Sequence, residues 1–593
     1  MARNKKTQAP PETDTEPALS PGKRQFLYAT AATTGACILI VEILGAKMLS
    51  PFLGTSHFVW TAQIGVTLLA LSGGYYAGGS LVDRRPDVKW LFMGIIAAGV
   101  YLCATVPAVK PVCLKLMSLP LAWSSLLAAM FLFLIPLALL AMTGPFLVRM
   151  LTESVDEVGT SMGRLTAIST VGSVLGVVLI GYVLIPHLPN SITMLITAGI
   201  LIAWSAIYLI VWGRTGTEVV LVAVGLCVIF GISGVRGQFD DQMRYNGQKW
   251  DVLYRANSNY GELQVIGYPA GKDGEPGSYL ELQYLNDQLI QNTYDPRLKK
   301  SRSHFTGALR WLAHAYTPRI ERALCIGMGV GVVPMQFVNT PPEVDTIKTD
   351  VVEINGAVVP LAEKYFDFNA SKVNLTIGDG RQFINATPHR YDAIVLDAFL
   401  GDSSPSHLMT REAFLEMREH LTEQGVLVIN TFGESTTQRQ FFASSLYQTL
   451  QSAFGEARVR VHASGLGNVF FVATRAEKLV AHRPPHPPDE AAAEQLAAIA
   501  AADYEKESDR DSAINEQWLL WIAASATDHL PFYNEHPGPR VTAALGLMWF
   551  KHRTYDSHEG IILTDDFNPV DFHEASNRDA NRRGLIRMLQ PNG

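Results

Sequence analysis

Seven apolar runs, each long enough to cross a bilayer, crowd the stretch between Phe26 and Gly234, and they constrain the fold more than anything else in the chain. About 20 residues of helix cross the hydrocarbon core. The runs lie near 26–48, 60–82, 90–109, 122–148, 165–186, 191–212 and 218–234. The first is too long for a cleavable signal peptide, and further runs follow it. The fourth carries Pro136 and Pro145, which predicts a kink or tilt, and it is too short for two spans. Of the 48 basic and 55 acidic residues, 16 fall in this block and 8 precede it, leaving 79 for everything after Gly234. The chain is therefore a multi-pass α-helical membrane domain joined to a soluble half. A disordered chain, a disulfide-stapled miniprotein and a wholly soluble enzyme are excluded.

Lys and Arg in the short connections give the orientation. The tail has Arg3, Lys5, Lys6, Lys23 and Arg24, and alternate connections have Arg84, Arg85 and Lys89, then Arg149 and Arg164, then Arg214. The other face has Lys47, Lys110 and Lys115. Residues 1–25 thus read as a disordered cytoplasmic tail of a multi-pass membrane protein. Seven spans then place the soluble half on the outer face; the alternatives are a miscounted span or a substrate that reaches the domain through the membrane half. Glu42 is an ionisable group inside the first span, read equally as functional or as a paired carboxyl. Gly73, Gly74, Gly78 and Gly79 read as a close-packing surface.

A formal charge of −7 argues against nucleic acid as a partner. The five cysteines, at 37, 103, 113, 227 and 325, form no CxxC pair, so neither a disulfide framework nor a zinc site follows. His482 and His486 fall in a Pro-rich linker and read as solvated.

After Gln238 the pattern changes. Tyr260–Ile266 and Tyr279–Leu285 read as strands of a small β-subdomain over 235–298, joined by the turn-rich Gly271–Gly277. Strand and helix signals then alternate over 299–480, with strands at Ala323–Ile326, Asp350–Ile354, Val373–Ile377, Tyr391–Asp397 and Gly425–Asn430. Helices are expected at Gly356–Tyr365 and Thr410–Leu421, and the order predicts a doubly wound α/β Rossmann-like sheet. Arg458–Val461 and Asn468–Ala473 are expected as an antiparallel edge pair, and 481–593 as a linker with a helical extension.

Ligands of such sheets bind beyond the carboxyl ends of the strands, where strand order reverses. Four features fall on that edge. Gly327, Gly329 and Gly331 form a loop that a nucleoside can approach closely. Glu353 ends the second strand, 26 residues beyond Gly327, where a carboxylate accepts hydrogen bonds from ribose hydroxyls. Asp379, between Gly378 and Gly380, is placed to receive an adenine amino group or simply to make a turn. Asp397 ends the fourth strand, where a carboxylate orients a cationic amine and takes its proton; Asp402 lies five residues on. The four occur in the order of a class I S-adenosylmethionine-type fold.

At these residues the chain resembles the spermidine synthase family, the polyamine aminopropyltransferases, in particular its membrane-fused bacterial branch. The likeness runs from about Tyr260 to Thr474 and includes Leu285-Asn-Asp-Gln-Leu-Ile-Gln291, Val352-Glu-Ile354, Gly378-Asp-Gly380 and Tyr391–Asp397. His407–Glu412, the second span from Trp60 to Arg84, and Leu563–Pro569 are similar to the membrane-fused branch, and Asp565-Asp566 suggests that the C-terminal region forms a lid over the site. The resemblance implies a transferase of polyamine biosynthesis with no tightly bound cofactor and no metal. Decarboxylated S-adenosylmethionine would be the donor, an amine such as putrescine the acceptor, and spermidine and methylthioadenosine the products. It also implies Asp397 as the catalytic carboxylate, Tyr260, Gln291 and Asp402 on the acceptor side, and a homodimer.

Four departures stand out against the family pattern. Its GGGDGG loop is here Gly327-Met-Gly-Val-Gly-Val332, and Gly261 stands where a glutamine often follows the tyrosine. Ser303-His-Phe305 lacks the glutamate of the YHE/YQE segment, and Asp402 is five rather than three residues beyond Asp397. The adenosine half of the site looks kept and the amine half altered. Two other readings stay open: a methyltransferase on the same scaffold using intact S-adenosylmethionine, and a membrane transporter or sensor with a nucleoside- or polyamine-binding domain.

Overall fold

The computed structural model describes residues 19–152, 158–213, 216–235, 241–245, 248–270, 278–340, 346–399, 404–432, 441–464, 468–480, 550–552 and 560–569. The tail before residue 19, Gly271–Gly277, Arg214, Asp402, His482, His486 and most of the 481–593 extension lie outside them.

Seven helices in the N-terminal half are long and apolar enough to cross a membrane: α1 (Pro21–Leu53), α2 (His57–Arg84), α3 (Val88–Leu116), α4 (Leu121–Leu151), α5 (Val158–His187), α6 (Asn190–Gly213) and α7 (Thr217–Gly234). Helix α4 runs through a π-helical turn at Met130–Leu134, just before Pro136, where a missing N–H frees a carbonyl from the regular ladder. Small residues set the closest crossings. A Cβ on Gly172 or Gly176 would run into the backbone of Ala32 or Ala36, so α5 lies directly against α1. Gly74 and Gly78 play the same part against Ala138 and Met142 of α4, whereas Gly73 and Gly79 face open space. Only half of the glycine cluster therefore acts as a packing surface. The outer face is apolar: Leu68, Val171, Leu175, Leu221 and Ile229 are each at least 54% exposed. Water would make so much exposed apolar surface costly.

The β-subdomain is a six-stranded antiparallel meander: β1 (Gln242–Tyr245), β2 (Gln248–Ser258), β3 (Gly261–Pro269), β4 (Tyr279–Asn286), β5 (Leu289–Asp295) and β6 (Lys300–Ser301). It extends the two strands named from sequence. Next come α8 (His304–Tyr316), β7 (Arg322–Ile326), α9 (Val332–Val338), β8 (Lys348–Glu353), α10 (Val358–Tyr365), β9 (Asn374–Ile377), α11 (Gly380–Ala386), β10 (Tyr391–Leu396), α12 (Arg411–Glu419), β11 (Leu421–Phe432), α13 (Phe441–Phe454), β12 (Val459–Ser464), β13 (Asn468–Thr474) and β14 (Phe550–His552). The sheet order is β14-β12-β13-β11-β10-β7-β8-β9. From β11 to β9 the pairing is parallel, and β13 and β12 add on antiparallel. The β12–β13 pair is not the sheet's edge, as the sequence suggested. Strand β14, from the region expected as a linker with a helical extension, pairs with β12 outside it.

The central strands β7, β10 and β11 are buried on both faces and rich in Ala, Ile, Leu and Val, as parallel strands under helices must be. One polar hub, centred on buried Asp350, ties β7, β8, β9 and β10 together. Asp350 accepts from Tyr391 Oη at 2.8 Å, Asn374 Nδ2 at 3.0 Å and Arg322 Nη1 at 3.2 Å. Strand order reverses between β7 and β10, and that crevice holds the site.

Among the described residues, three hydrogen bonds at two points join the halves. At the end of α1, Lys47 Nζ donates to the carbonyl of Asn259 at 3.0 Å and Ser50 Oγ to Asp287 Oδ2 at 3.2 Å. At the α5–α6 turn, Asn257 Nδ2 donates to the Leu188 carbonyl at 2.8 Å. Both points lie at the end of the bundle opposite the start of α1.

Candidate active site

A cavity of about 560 Å³ opens above the carboxyl ends of β7, β8 and β10, with the β-subdomain as its far wall. Strand β7 delivers the glycine loop. Gly327, Gly329 and Gly331 all have positive φ, at 91°, 53° and 81°, which β-carbon-bearing residues avoid. A Cβ on Gly327 would collide with the Asp397 carbonyl, and one on Gly331 with the Phe368 ring. At Gly329 a Cβ would meet nothing, so this glycine keeps the loop open toward the cavity.

Glu353 is buried below this loop and lines the cavity. Its Oε2 accepts from the Met328 N–H at 2.9 Å and its Oε1 from the Asn355 N–H at 2.8 Å. Burial pushes its pKa up, against the opposing pull of those N–H groups. The carboxylate expected to meet a ribose therefore also braces the glycine loop.

Asp379 caps α11, accepting from the Gln382 N–H at 2.9 Å, and its other oxygen meets His407 Nε2 at 2.8 Å. Burial works to raise its pKa, but the Gln382 N–H and His407 outweigh it and hold the carboxyl below the usual range. Asp379 thus makes a turn, and it also lines the cavity with Gly378, Gly380 and His407.

Asp397 follows β10 directly, its N–H bonded to the Ile326 carbonyl at 2.9 Å, which fixes it beside the glycine loop. Burial pushes its pKa up to about 7, partly offset by a hydrogen bond from Asn430 Nδ2 to Oδ1 at 2.9 Å. Asn430 Oδ1 in turn accepts from Asn468 Nδ2 at 3.0 Å. This relay from β13 through β11 to Asp397 escaped the sequence reading, because an Asn inside a strand carries no motif. Only the adjacency of β10, β11 and β13 brings the three together.

Tyr260 and Gln291 line the β-subdomain wall with Tyr284, Asn286 and Asn292, while Ser303 and Phe305, seen in the sequence only as departures, also face the cavity. Asn286 Nδ2 donates to the Tyr260 carbonyl at 3.4 Å, and Ser258 Oγ accepts from the Tyr260 N–H at 3.2 Å, so the loop bearing Tyr260 is tied on both sides. Asp402 lies outside the described residues. Asp565, within the segment expected from its paired aspartates to cover the site, does not line the cavity. It accepts from Arg381 Nη2 at 3.1 Å and Thr410 Oγ1 at 2.6 Å, and Asn568 Nδ2 reaches the Ser406 carbonyl at 2.8 Å. The segment is a strap behind the His407 turn rather than a lid.

Residues 308–464 match the spermine/spermidine synthase domain. A polyamine aminopropyltransferase of Vibrio vulnificus is 41% identical over 216 residues, covering 35% of this chain and 66% of its own length. A probable polyamine aminopropyl transferase of Bifidobacterium longum is 33% identical over 143 residues, 24% of this chain and 31% of that one. Among solved structures, a spermidine synthase of Thermotoga maritima is 16% identical with a TM-score of 0.33, covering 52% of this chain and 94% of that one. The stretch matched to the family spans β7 through β12, the same strands that carry the glycine loop, Glu353, Asp379 and Asp397. Through this domain the chain belongs to the spermidine synthase family.

Proposed function

We propose that the protein transfers an aminopropyl group from decarboxylated S-adenosylmethionine to an amine. The observation that carries this reading is Asp397: a carboxylate with its pKa raised to about 7, held by Asn430 and facing the glycine loop in one cavity. The adenosine would lie over Gly329, its ribose at Glu353 and its base near Asp379 and Gly380. The acceptor amine would enter along the wall of Tyr260 and Gln291 toward Asp397.

The chemistry asks little beyond orientation. The amine lone pair attacks the aminopropyl carbon next to sulfur, the C–S bond breaks, and its electron pair neutralises the sulfonium, releasing methylthioadenosine. The ammonium must first lose a proton, and a carboxylate with a pKa near 7 accepts one at neutral pH without holding it too tightly. Fixing both partners in one cavity supplies the remaining advantage.

The exposed apolar belt and seven long helices support a membrane-embedded bundle. The Lys47, Ser50 and Asn257 contacts fit a synthase domain on the face opposite the tail, where α1, α5 and α7 end. The test is calorimetric titration of detergent-purified protein with decarboxylated and intact S-adenosylmethionine in parallel, followed by turnover with putrescine. Preference for the decarboxylated donor, with spermidine formed, supports the reading. Preference for the intact donor shifts it to methyl transfer, and binding of neither removes it.

A further inference from the structure

A second, larger cavity lies in the helix bundle, with a volume of about 1000 Å³, between α1, α2, α4 and α5. By the alternation of the helices it sits at the end where α1 begins and α2 and α4 finish, away from the synthase pocket. Its lining is unusual for an apolar bundle in three respects. Asp83 and Arg149 both line it, and neither has a partner among the described residues. Thr143 also lines it, is 3% exposed, and its hydroxyl has no hydrogen bond. Finally, α5 presents the hydroxyls of Thr166, Ser169, Thr170 and Ser173, again unpartnered among the described residues.

The contrast with the rest of the bundle is informative. Thr30, Thr33, Thr67, Thr197 and Ser205 each bond the carbonyl one turn back, at 2.8 to 2.9 Å. That is how a helix hides a hydroxyl in apolar surroundings. Thr34 and Thr152 at this cavity do the same, but Thr143 and the four α5 hydroxyls do not; of these Thr143 is buried, and a buried donor without an acceptor is costly. Asp83 and Arg149, both exposed and unpaired among the described residues, offer a ligand at this cavity one charge of each sign.

We propose that this cavity binds a small zwitterion, its ammonium at Asp83 and its anionic group at Arg149, with Thr143 and the α5 hydroxyls bonding its polar atoms. The chemistry is common to a free amino acid and to the headgroup of an ethanolamine phospholipid. The site is separate from the synthase pocket and does not depend on that pocket's assignment.

The test uses full-length protein in phosphatidylglycerol nanodiscs and reads the thermal unfolding midpoint. L-Methionine is one probe, added phosphatidylethanolamine the other, and putrescine and succinate are single-sign controls. A zwitterion at saturating concentration is expected to raise the midpoint by about 2–4 °C, as binding to the folded state alone does. Asp83→Asn and Arg149→Gln should each abolish the rise, and the near-isosteric Thr143→Val should reduce it, with donor binding at the synthase pocket unchanged. A response to methionine assigns a free solute; a response to phosphatidylethanolamine alone assigns a lipid headgroup. The proposal is overturned if neither zwitterion shifts the midpoint, if the shift survives both charge variants, or if putrescine alone produces it.

Discussion

Asp397 costs the fold stability in order to serve the site. Its folded pKa is raised toward 7, so between about pH 4 and 7 the native state holds a proton that the unfolded chain has released. Stability contributed by the neutral acid is therefore lost as pH rises through that window. Asp397→Asn removes the penalty while keeping a polar side chain of the same shape. We expect kcat to fall by about 10²–10⁴-fold, while the unfolding midpoint at pH 8 stays level or rises; a variant that loses activity only by unfolding would contradict this. Asn430→Ala removes the hydrogen bond that pulls the Asp397 pKa down. The acidic limb of the kcat/KM profile should then move to higher pH, and an unmoved limb would show that the relay does not act through Asp397. The carboxylate was legible from sequence because it ends an apolar strand. Asn430, Asn468 and His407 were not, since their roles depend on which strand or turn lies beside them.

Among the elements, the glycine loop offers the sharpest contrast. Gly327→Ala sets a Cβ against the Asp397 carbonyl at a φ of 91°, so both the loop and the base must shift. Gly329→Ala meets no atom and adopts a left-handed φ of 53°, at a backbone cost of about 1 kcal/mol. The first of these substitutions should therefore lower folded yield, whereas Gly329→Ala should fold and weaken donor affinity about tenfold, or about 1.4 kcal/mol, in the same titration. Equal donor affinity for wild type and Gly329→Ala would remove the donor from that loop. In the bundle, Gly172→Leu drives a side chain into the Ala32 backbone and should separate α1 from α5, read as loss of monodisperse protein in detergent. The strand alternation and the apolar spans were readable because each repeats a local period. The strap at 560–569 was misjudged because Asp565–Asp566 carries no signal of its partner; Arg381, fixed by Glu416 as well, decides where the segment lies.

For the whole molecule, the α1 end ties the helix bundle to the wall of the cavity. Ser50 holds Asp287, whose other oxygen accepts from the Glu262 N–H at 2.9 Å, and Lys47 holds the residue next to Tyr260. Lys47→Met with Ser50→Ala should raise the acceptor KM about fivefold, the effect of losing about 1 kcal/mol, with donor affinity unchanged. An equal loss on both substrates would make the contact a general structural one. Orientation is separately testable with cysteines placed at Thr7 and at Arg319, whose side chain is 71% exposed. A membrane-impermeant maleimide should label them from opposite faces, and labelling from one face would end the seven-span arrangement.

Sequence alone was enough for the seven long apolar helices, the doubly wound sheet and the four residues on its carboxyl edge, because hydrophobic period and strand-end position are local properties of the chain. Tertiary structure decided the rest. It set the Asn430–Asn468 relay that tunes Asp397, the brace from Glu353 to the glycine loop, the clasp of α1 on the Tyr260 loop, and the meeting of Asp83 and Arg149 at one cavity. Each joins residues distant in the chain, and a hydrogen bond or a shared cavity depends on separation in space, which no local pattern records.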